Sequence, residues 1–188
     1  LFEYYPLDIN FAQSCMNQIK TNLLDKVDIL PENIYSIDPT LNQSEISQHC
    51  INYEHKIEEC GGIDYQVLGI GGVGNIGFNE PADEFVKETH CVDLQESTIQ
   101  ANKRFFEKVE DVPTQAYTMG IKTIMSAKKI LLVANGEGKA EIIYKMVAGE
   151  ITPQVPASVL QLHNDVIVVV DEAAAAMLRE KAPEYIEG

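Results

Sequence analysis

A glycine-rich stretch at residues 68–81 most constrains what this chain can fold into and bind. It reads LGIGGVGNIGFNEP: an apolar strand is followed by a glycine-rich turn, and the turn is followed by the carboxylate of Glu80. The stretch contains five glycines, which are Gly69, Gly71, Gly72, Gly74 and Gly77. Glycine adopts positive φ angles easily and allows a ligand to approach the backbone closely. The stretch therefore indicates a phosphate or sugar site, and the alternative interpretation is a tight structural turn.

Apolar runs of four to six residues alternate with helical patterns along the rest of the chain. Strands are predicted at residues 65–70, 115–119, 129–134 and 166–170. Helices are predicted at residues 10–25, 45–60, 98–106, 140–147 and 172–180, with shorter helical turns at 121–127 and 158–162. This order is typical of an α/β protein with a Rossmann-like, doubly wound and mostly parallel sheet that carries helices on both faces.

The ends of two predicted strands locate a candidate site. In doubly wound folds, ligands bind in the crevice at the carboxyl ends of the strands. The glycine-rich turn at residues 69–77 and a second turn at residues 136–139 both follow strands directly, so both should open on the same edge of the sheet. The second turn should aim free N–H groups and the positive end of a helix beginning at Gly138 at one spot, with Lys139 beside it.

Composition limits the classes of partner. The chain has 188 residues, of which 45% are apolar, and a formal net charge of −15. This length suits a single globular domain over residues 1–188. The acidity argues against a nucleic-acid partner, and no run of about 20 apolar residues predicts a membrane span. An anionic sugar would need a local positive patch in this negative field.

The cysteines argue against a secreted scaffold and against a metal site. Cys15, Cys50, Cys60 and Cys91 show no CxxC spacing and too low a density for a disulfide framework, so a reduced cytoplasm is the predicted location. The histidines and cysteines at residues 49–60 match no common zinc pattern. We therefore predict no bound metal.

The stretch at residues 68–81 resembles the signature of the glucosamine-6-phosphate deaminase family, LGIGxxGHIGFNEP. Further segments fall in the family's order: EYYPL at 3–7, VDILPENI at 27–34, ANKRFF at 101–106, ILLVANGEGKA at 130–140, VPASVLQLH at 155–163 and VIVVVDEAAA at 166–174. This resemblance covers nearly the whole chain and implies the Rossmann-like fold of sugar-phosphate isomerases and deaminases. It also implies an incomplete N-terminus, because the family's first strands and N-terminal phosphate loop have no counterpart here.

The chain differs from the family at the positions where the family's side chains transfer protons. The resemblance implies that Phe2 stands in place of the family's aspartate base, and that Asn75 stands in place of the histidine that assists ring opening. Val73 replaces the aspartate that orients this histidine. In the family, the histidine, this aspartate and a glutamate form a proton relay, and of these three positions only Glu80 matches. Phenylalanine, asparagine and valine do not titrate near neutral pH, so acid–base chemistry is predicted to be weak or absent.

The positions that hold the phosphate match the family better. The resemblance implies that Arg104, in NKRFF, and Lys139, in GEGKA, bind the phosphate. It also implies substrate binding by the turn that contains Gly71, Gly72 and Gly74. The alternative for the two cations is an ordinary solvated surface position.

Two functions from different classes follow from the resemblance. One is an aminosugar-phosphate isomerase-deaminase that converts glucosamine 6-phosphate and water to fructose 6-phosphate and ammonia without a cofactor. Glu3 is a poor substitute base, because neighbouring side chains on a strand face opposite ways. The other function is a non-catalytic sugar-phosphate binding or regulatory domain. Both imply a phosphorylated aminosugar as ligand, and the resemblance further implies a homo-oligomer.

Overall fold

The computed structural model describes residues 2–8 and 10–186. Its strands and helices, in chain order, are β1 (Phe2–Tyr5), α1 (Cys15–Asn22), α2 (Ile46–Glu59), β2 (Tyr65–Leu68), β3 (His90–Asp93), α3 (Glu96–Asn102), β4 (Gln115–Thr118), α4 (Ile121–Met125), β5 (Lys129–Ala134), α5 (Ala140–Ala148), β6 (Val166–Val170) and α6 (Glu172–Lys181). The chain divides into two compact units, Leu1–Lys56 with Thr89–Met119, and Ile57–Glu88 with Gly120–Gly188. None of the helices in the described residues has both the length and the apolar character needed to cross a membrane.

The first unit is built on an antiparallel sheet with the strand order β1-β4-β3. Tyr117, in the central strand β4, pairs with Glu3 on one side and with Cys91 on the other. The Tyr117 side chain is fully buried, and its ring meets the ring of Tyr5 edge to face at 5.3 Å. The core of this unit groups Tyr5, Ile37, Ile46, Cys50 and Tyr117. It therefore ties β1 and β4 to the N-terminal part of α2.

The second unit is built on a parallel sheet with the strand order β2-β5-β6. One face of this sheet is buried through Leu68 in β2 and through Ile130, Leu132 and Ala134 in β5. Helices α5 and α6 pack against each other. Because β2 and β5 are parallel neighbours, their carboxyl ends lie at the same edge of the sheet.

The α/β class predicted from the alternation of strands and helices is confirmed. Strands β5 and β6 have the predicted bounds, and α2 and α6 agree with theirs to within one residue at each end. The sheet differs from the mostly parallel prediction, because β1, β3 and β4 form an antiparallel sheet of their own. Strand β3 is absent from the predicted strands because HCVD is four residues long and shows no alternation of apolar and polar residues.

Two helices, α1 and α3, differ by several residues from their predicted bounds. The apolar spacing predicts a helix from residue 10, whereas α1 begins at Cys15, because the side chain of Ser14 caps it by accepting from the Asn17 amide. The helix predicted at residues 98–106 is α3, and it gives way after Asn102 to a 3₁₀ turn. Arg104 therefore lies on this 3₁₀ turn and not within an α-helix.

Candidate functional site

The glycine-rich turn that follows β2 folds back on itself. The Gly71 amide donates to the Asn75 carbonyl oxygen at 2.9 Å, and the Gly74 amide donates to the Gly71 carbonyl oxygen at 3.1 Å. Gly74 and Gly77 have φ angles of 89° and 58°, in a region that other residues rarely adopt. At these two positions, glycine is required by the backbone of the turn itself.

The Asn75 side chain lies inside this turn. Its Nδ2 donates to the Gly77 carbonyl oxygen at 3.0 Å. A Cβ atom at residue 71 would come within 1.7 Å of the Asn75 Oδ1, so Gly71 leaves the room that this side chain occupies. A primary amide neither gives nor takes a proton near neutral pH. Asn75 therefore contributes shape to the turn and no acid–base group.

The other residues predicted in this turn lie in different surroundings. Gly74 is buried, its carbonyl oxygen accepts from the Ala157 amide at 2.8 Å, and a Cβ here would lie 2.8 Å from the Val155 side chain. Val73 is half-buried. Gly72 is exposed, and apart from its two chain neighbours no described residue has an atom within 4 Å of a Cβ at this position. Gly72 therefore leaves open surface beside the turn, and substrate binding by these glycines stays a prediction.

Glu80, the carboxylate that matches the predicted relay, is 8% exposed. The preceding residue, Asn79, is also buried, and both its amide and its Nδ2 donate to the Ile76 carbonyl oxygen, at 3.2 and 2.9 Å. These two hydrogen bonds form a tight turn over residues 76–79, immediately before Glu80. The carboxylate is therefore carried by an ordered turn, and its catalytic role stays a prediction.

The turn after β5 brings a cation to the glycine-rich turn. Lys139 Nζ donates to the Ile70 carbonyl oxygen at 2.7 Å, and Ile70 lies at the start of the glycine-rich turn. The two turns meet because β2 and β5 are parallel neighbours, as the positions of the predicted strands indicate. The structure thus places the Lys139 ammonium against the backbone of the turn that carries Gly71 and Asn75.

The backbone of this second turn differs from the prediction. Helix α5 begins at Ala140, as the apolar pattern predicts, and a 3₁₀ turn precedes it, so Gly138 lies before the helix and not at its start. The Gly136 amide donates to both carboxylate oxygens of Asp171 at 3.0 Å. The Gly136 amide therefore already has an acceptor in the Asp171 carboxylate and is not offered to an anion. The positive charge of this turn is on the Lys139 side chain.

Two further predicted site residues, Phe2 and Arg104, belong to the first unit. Phe2 begins β1 and is 39% exposed. Arg104 is exposed, and its guanidinium lies 4.7 Å from the centroid of the Phe105 ring, in a cation–π contact. The Tyr4 ring meets the Phe106 ring edge to face at 5.6 Å. Burial raises the pKa of Tyr4, and the nearby charge of Arg104 opposes this rise. β1 and the turn that carries Arg104 are therefore neighbours.

Glu3 has a structural role that its position in the sequence does not reveal. It is 1% exposed, and its carboxylate accepts from the amides of Tyr4, Cys15 and Met16 and from the Ser14 hydroxyl, at 2.7–3.0 Å. Three of these donors lie at the N-terminus of α1, where backbone N–H groups lack partners within the helix and the helix dipole favours a negative charge. Both oxygens are engaged, so Glu3 does not replace the family's base.

In the described residues there is neither a metal-binding group of side chains nor a reactive thiol at Cys15 or Cys50. The described part of the chain holds no group of three or more His, Cys, Asp or Glu side chains that could bind a metal ion. Burial, followed by the charge of Glu3, raises the pKa of the Cys15 thiol to about 12. Burial likewise raises the pKa of Cys50 to about 11. Such thiols stay protonated at neutral pH and are poor nucleophiles.

Known proteins resemble this chain in sequence over most of its length. The model of the family described as glucosamine-6-phosphate isomerases/6-phosphogluconolactonase matches residues 7–169. The chain is 54% identical over 181 residues to a glucosamine-6-phosphate deaminase of Clostridioides difficile, covering 96% of this chain and 72% of that protein. It is also 54% identical over 178 residues to a glucosamine-6-phosphate deaminase of Clostridium acetobutylicum, covering 95% of this chain and 73% of that protein.

Solved structures share the fold. A monomeric glucosamine-6-phosphate deaminase matches with a TM-score of 0.89 and 40% identity, over 94% of this chain and 73% of that chain. A 6-phosphogluconolactonase from Trypanosoma brucei matches with a TM-score of 0.71 and 16% identity, over 94% of this chain and 72% of that chain, which shows the fold alone. Since the family model and the closely similar deaminases both cover most of it, the chain belongs to the glucosamine-6-phosphate isomerase/6-phosphogluconolactonase family.

Proposed function

We propose that this chain binds glucosamine 6-phosphate and acts in aminosugar metabolism as a slow glucosamine-6-phosphate deaminase. The reaction consumes glucosamine 6-phosphate and water and releases fructose 6-phosphate and ammonia. Support comes from two deaminases that are 54% identical over at least 95% of the chain, and from the fold shared with a solved deaminase. We assign ligand binding in the second unit to its two adjoining turns.

The observation that carries this proposal is the Lys139 ammonium, 2.7 Å from the Ile70 carbonyl oxygen. Lysine is charged at neutral pH, and its compact ammonium is a common partner of phosphoryl groups. In a chain with a net charge of −15, an anionic sugar needs such a local cation to offset repulsion by the remaining surface. For phosphate binding by Arg104, in the first unit, the support is the resemblance to the deaminases.

Turnover is expected to be slow because three positions lack a titratable group. Ring opening and proton transfer between sugar carbons both need a group that gives or takes a proton. Phe2 and Val73 have none, and the Asn75 amide is bonded to the Gly77 carbonyl oxygen. Loss of one positioned acid or base lowers a rate by a factor of about 10²–10⁴. We assign the chemistry that remains to Glu80 and to water.

A non-catalytic sugar-phosphate binding or regulatory domain is the second candidate. The geometry of Asn75 favours it, because this side chain completes the turn without any part in proton transfer. Glucosamine 6-phosphate would then bind and leave unchanged. The two candidates share the Lys139 contact and differ in the fate of the ligand.

Removal of the Lys139 charge tests the proposed binding site. Lys139→Ala is expected to weaken the binding of glucosamine 6-phosphate about 10- to 100-fold, because a hydrogen bond to a charged group contributes roughly 1.5–3 kcal/mol. Lys145→Ala is the matched control, since Lys145 lies on α5 with its side chain 50% exposed and pairs with Glu141 at 2.6 Å. Isothermal titration calorimetry gives the dissociation constant of each variant.

A second substitution separates the loss of charge from a disturbed turn. Lys139→Arg keeps the positive charge and is expected to retain most of the affinity. Thermal unfolding of each variant checks that the fold is intact, because Lys139 also bonds to Ile70. If Lys139→Ala binds the ligand as tightly as Lys145→Ala does, the phosphate does not bind at Lys139 and the assignment is wrong.

A further inference from the structure

The Asp171 side chain joins two segments at the carboxyl edge of the parallel sheet in the second unit. Asp171 directly follows β6, and Gly136 lies two residues after the end of the neighbouring parallel strand, β5. Asp171 Oδ1 accepts from the Ala174 amide at 2.8 Å and so caps α6. Both carboxylate oxygens also accept from the Gly136 amide at 3.0 Å. One side chain therefore holds the N-terminus of α6 and the turn after β5 together.

The capping of α6 does not by itself require a carboxylate. A helix cap needs one acceptor oxygen, which serine or asparagine supplies about as well as aspartate does. The cap uses Asp171 Oδ1, whereas Oδ2 accepts from the Gly136 amide. A carboxylate is also unfavourable beside a turn that binds an anion, because like charges repel each other. The second oxygen of Asp171 therefore indicates a role in the turn at Gly136.

The turn at residues 136–139 connects Asp171 to Lys139. The Lys139 amide donates to the Gly136 carbonyl oxygen at 3.0 Å, so a contact that fixes Gly136 also fixes the backbone of Lys139. Gly136 has a φ angle of 89°, and its freedom of conformation gives an unrestrained turn many alternatives. A turn that has to be ordered when its ligand arrives binds that ligand more weakly. The hydrogen bonds to Asp171 order this turn before any ligand binds.

We propose that Asp171 is a positioning residue for binding of the ligand phosphate, a role that rests on the proposed function of this chain. Asp171 holds the turn from which the Lys139 ammonium reaches to 2.7 Å from the Ile70 carbonyl oxygen. Its own charge repels a phosphate, so its contribution to binding comes through the geometry of the turn. Loss of the contact with Gly136 therefore weakens binding, although removal of a negative charge alone would strengthen it.

Asp171→Ser separates the cap of α6 from the contact with the turn. A serine hydroxyl still caps the helix, but this side chain is too short to hold the Gly136 amide as well. Isothermal titration calorimetry is expected to show glucosamine 6-phosphate bound about 3- to 10-fold more weakly than by the parent chain. Glu172→Gln is the matched control, because it removes one negative charge at the next residue, where the side chain is 82% exposed and pairs with Arg179 at 2.9 Å. This control is expected to bind at least as tightly as the parent chain.

A double variant, Asp171→Ser with Lys139→Ala, shows whether Asp171 acts through Lys139. If it does, Asp171→Ser costs no further affinity once Lys139 is removed, whereas a general disturbance of the fold would weaken binding equally in both backgrounds.

The outcomes distinguish the role of Asp171 from the proposed function. Asp171→Asn, which keeps an acceptor at Oδ1 for the cap, replaces the serine variant if circular dichroism shows that the latter is misfolded, and it too is expected to weaken binding. Binding by Asp171→Ser as tight as by Glu172→Gln, or an equal loss with and without Lys139, would overturn the role of Asp171 alone. A parent chain that does not bind glucosamine 6-phosphate would overturn the proposed function, and the role of Asp171 with it.

Discussion

Phe2→Asp combined with Asn75→His is expected to raise the turnover of glucosamine 6-phosphate at least about 100-fold over the parent chain. By resemblance these are the positions of the base and of the ring-opening group, and a positioned acid or base contributes about 10²–10⁴ in rate. Each turnover needs both steps, so either single substitution is expected to gain less than about 10-fold. Ammonia release in a coupled assay measures the gain.

Both positions can accept these substitutions. Phe2 begins β1 and is 39% exposed, so a shorter polar side chain loses little packing. At residue 75, a histidine ring nitrogen can donate to the Gly77 carbonyl oxygen in place of the Asn75 Nδ2, which donates at 3.0 Å. That bond would fix the tautomer and leave the other ring nitrogen to exchange a proton.

A matched double variant separates acid–base chemistry from shape. Phe2→Asn with Asn75→Gln changes the same two positions without adding a titratable group, and its turnover is expected to equal that of the parent chain. If the variant with aspartate and histidine is no faster than this control, turnover by this chain is not limited by these two residues. A non-catalytic binding domain would then be the better account of the chain.

Glu3→Gln is expected to lower the free energy of unfolding by roughly 1–4 kcal/mol. Glu3 Oε1 accepts from the amides of Tyr4 and Cys15, and Oε2 accepts from the Ser14 hydroxyl and the Met16 amide. Glutamine replaces one of these oxygens by an NH₂ group, which leaves at least one buried amide without an acceptor, at a cost of about 1–3 kcal/mol. The lost negative charge at the N-terminus of α1 adds up to about 1 kcal/mol. Urea denaturation followed by circular dichroism measures the difference.

Glu45→Gln makes the same chemical change in an exposed cap. Glu45 accepts from the Asn42 amide at 3.1 Å, at the 3₁₀ turn that precedes α2, and it is exposed. Because water can satisfy groups left unpaired there, the expected loss is below about 1 kcal/mol. Equal losses for the two substitutions would show that the buried Glu3 carboxylate does not stabilise α1 in the way described.

The strands of the second unit are largely predictable, whereas β1 and β3 of the first unit are not. Strands β5 and β6 are continuous apolar runs, KILLVA and VIVVV, and this pattern is specific enough to give their bounds. Strands β1 and β3 read FEYY and HCVD, and both owe their place in the sheet to pairing with β4, which is distant in sequence. Local sequence patterns do not predict such long-range strand pairing.

In the candidate site, too, some features are predictable from the sequence and others are not. That two turns meet beside β2 and β5 follows from the parallel order of strands, but the bond from Lys139 to Ile70 depends on one long side chain and has no sequence signal. The contacts of Glu3 are equally hidden, because its donors at the start of α1 lie on another element. The available signal is Ser14, a residue type that favours the N-cap position and marks where α1 begins.

Phosphorus NMR of glucosamine 6-phosphate with a near-stoichiometric amount of protein reports binding and conversion in one time course. We predict that the substrate resonance broadens or shifts, that a fructose 6-phosphate resonance then grows slowly, and that both effects weaken in Arg104→Ala and in Lys139→Ala. An unchanged spectrum would contradict the proposal that this chain binds an aminosugar phosphate. Rapid and complete conversion would instead contradict the prediction that turnover is slow because Phe2 and Asn75 stand at the family's acid–base positions.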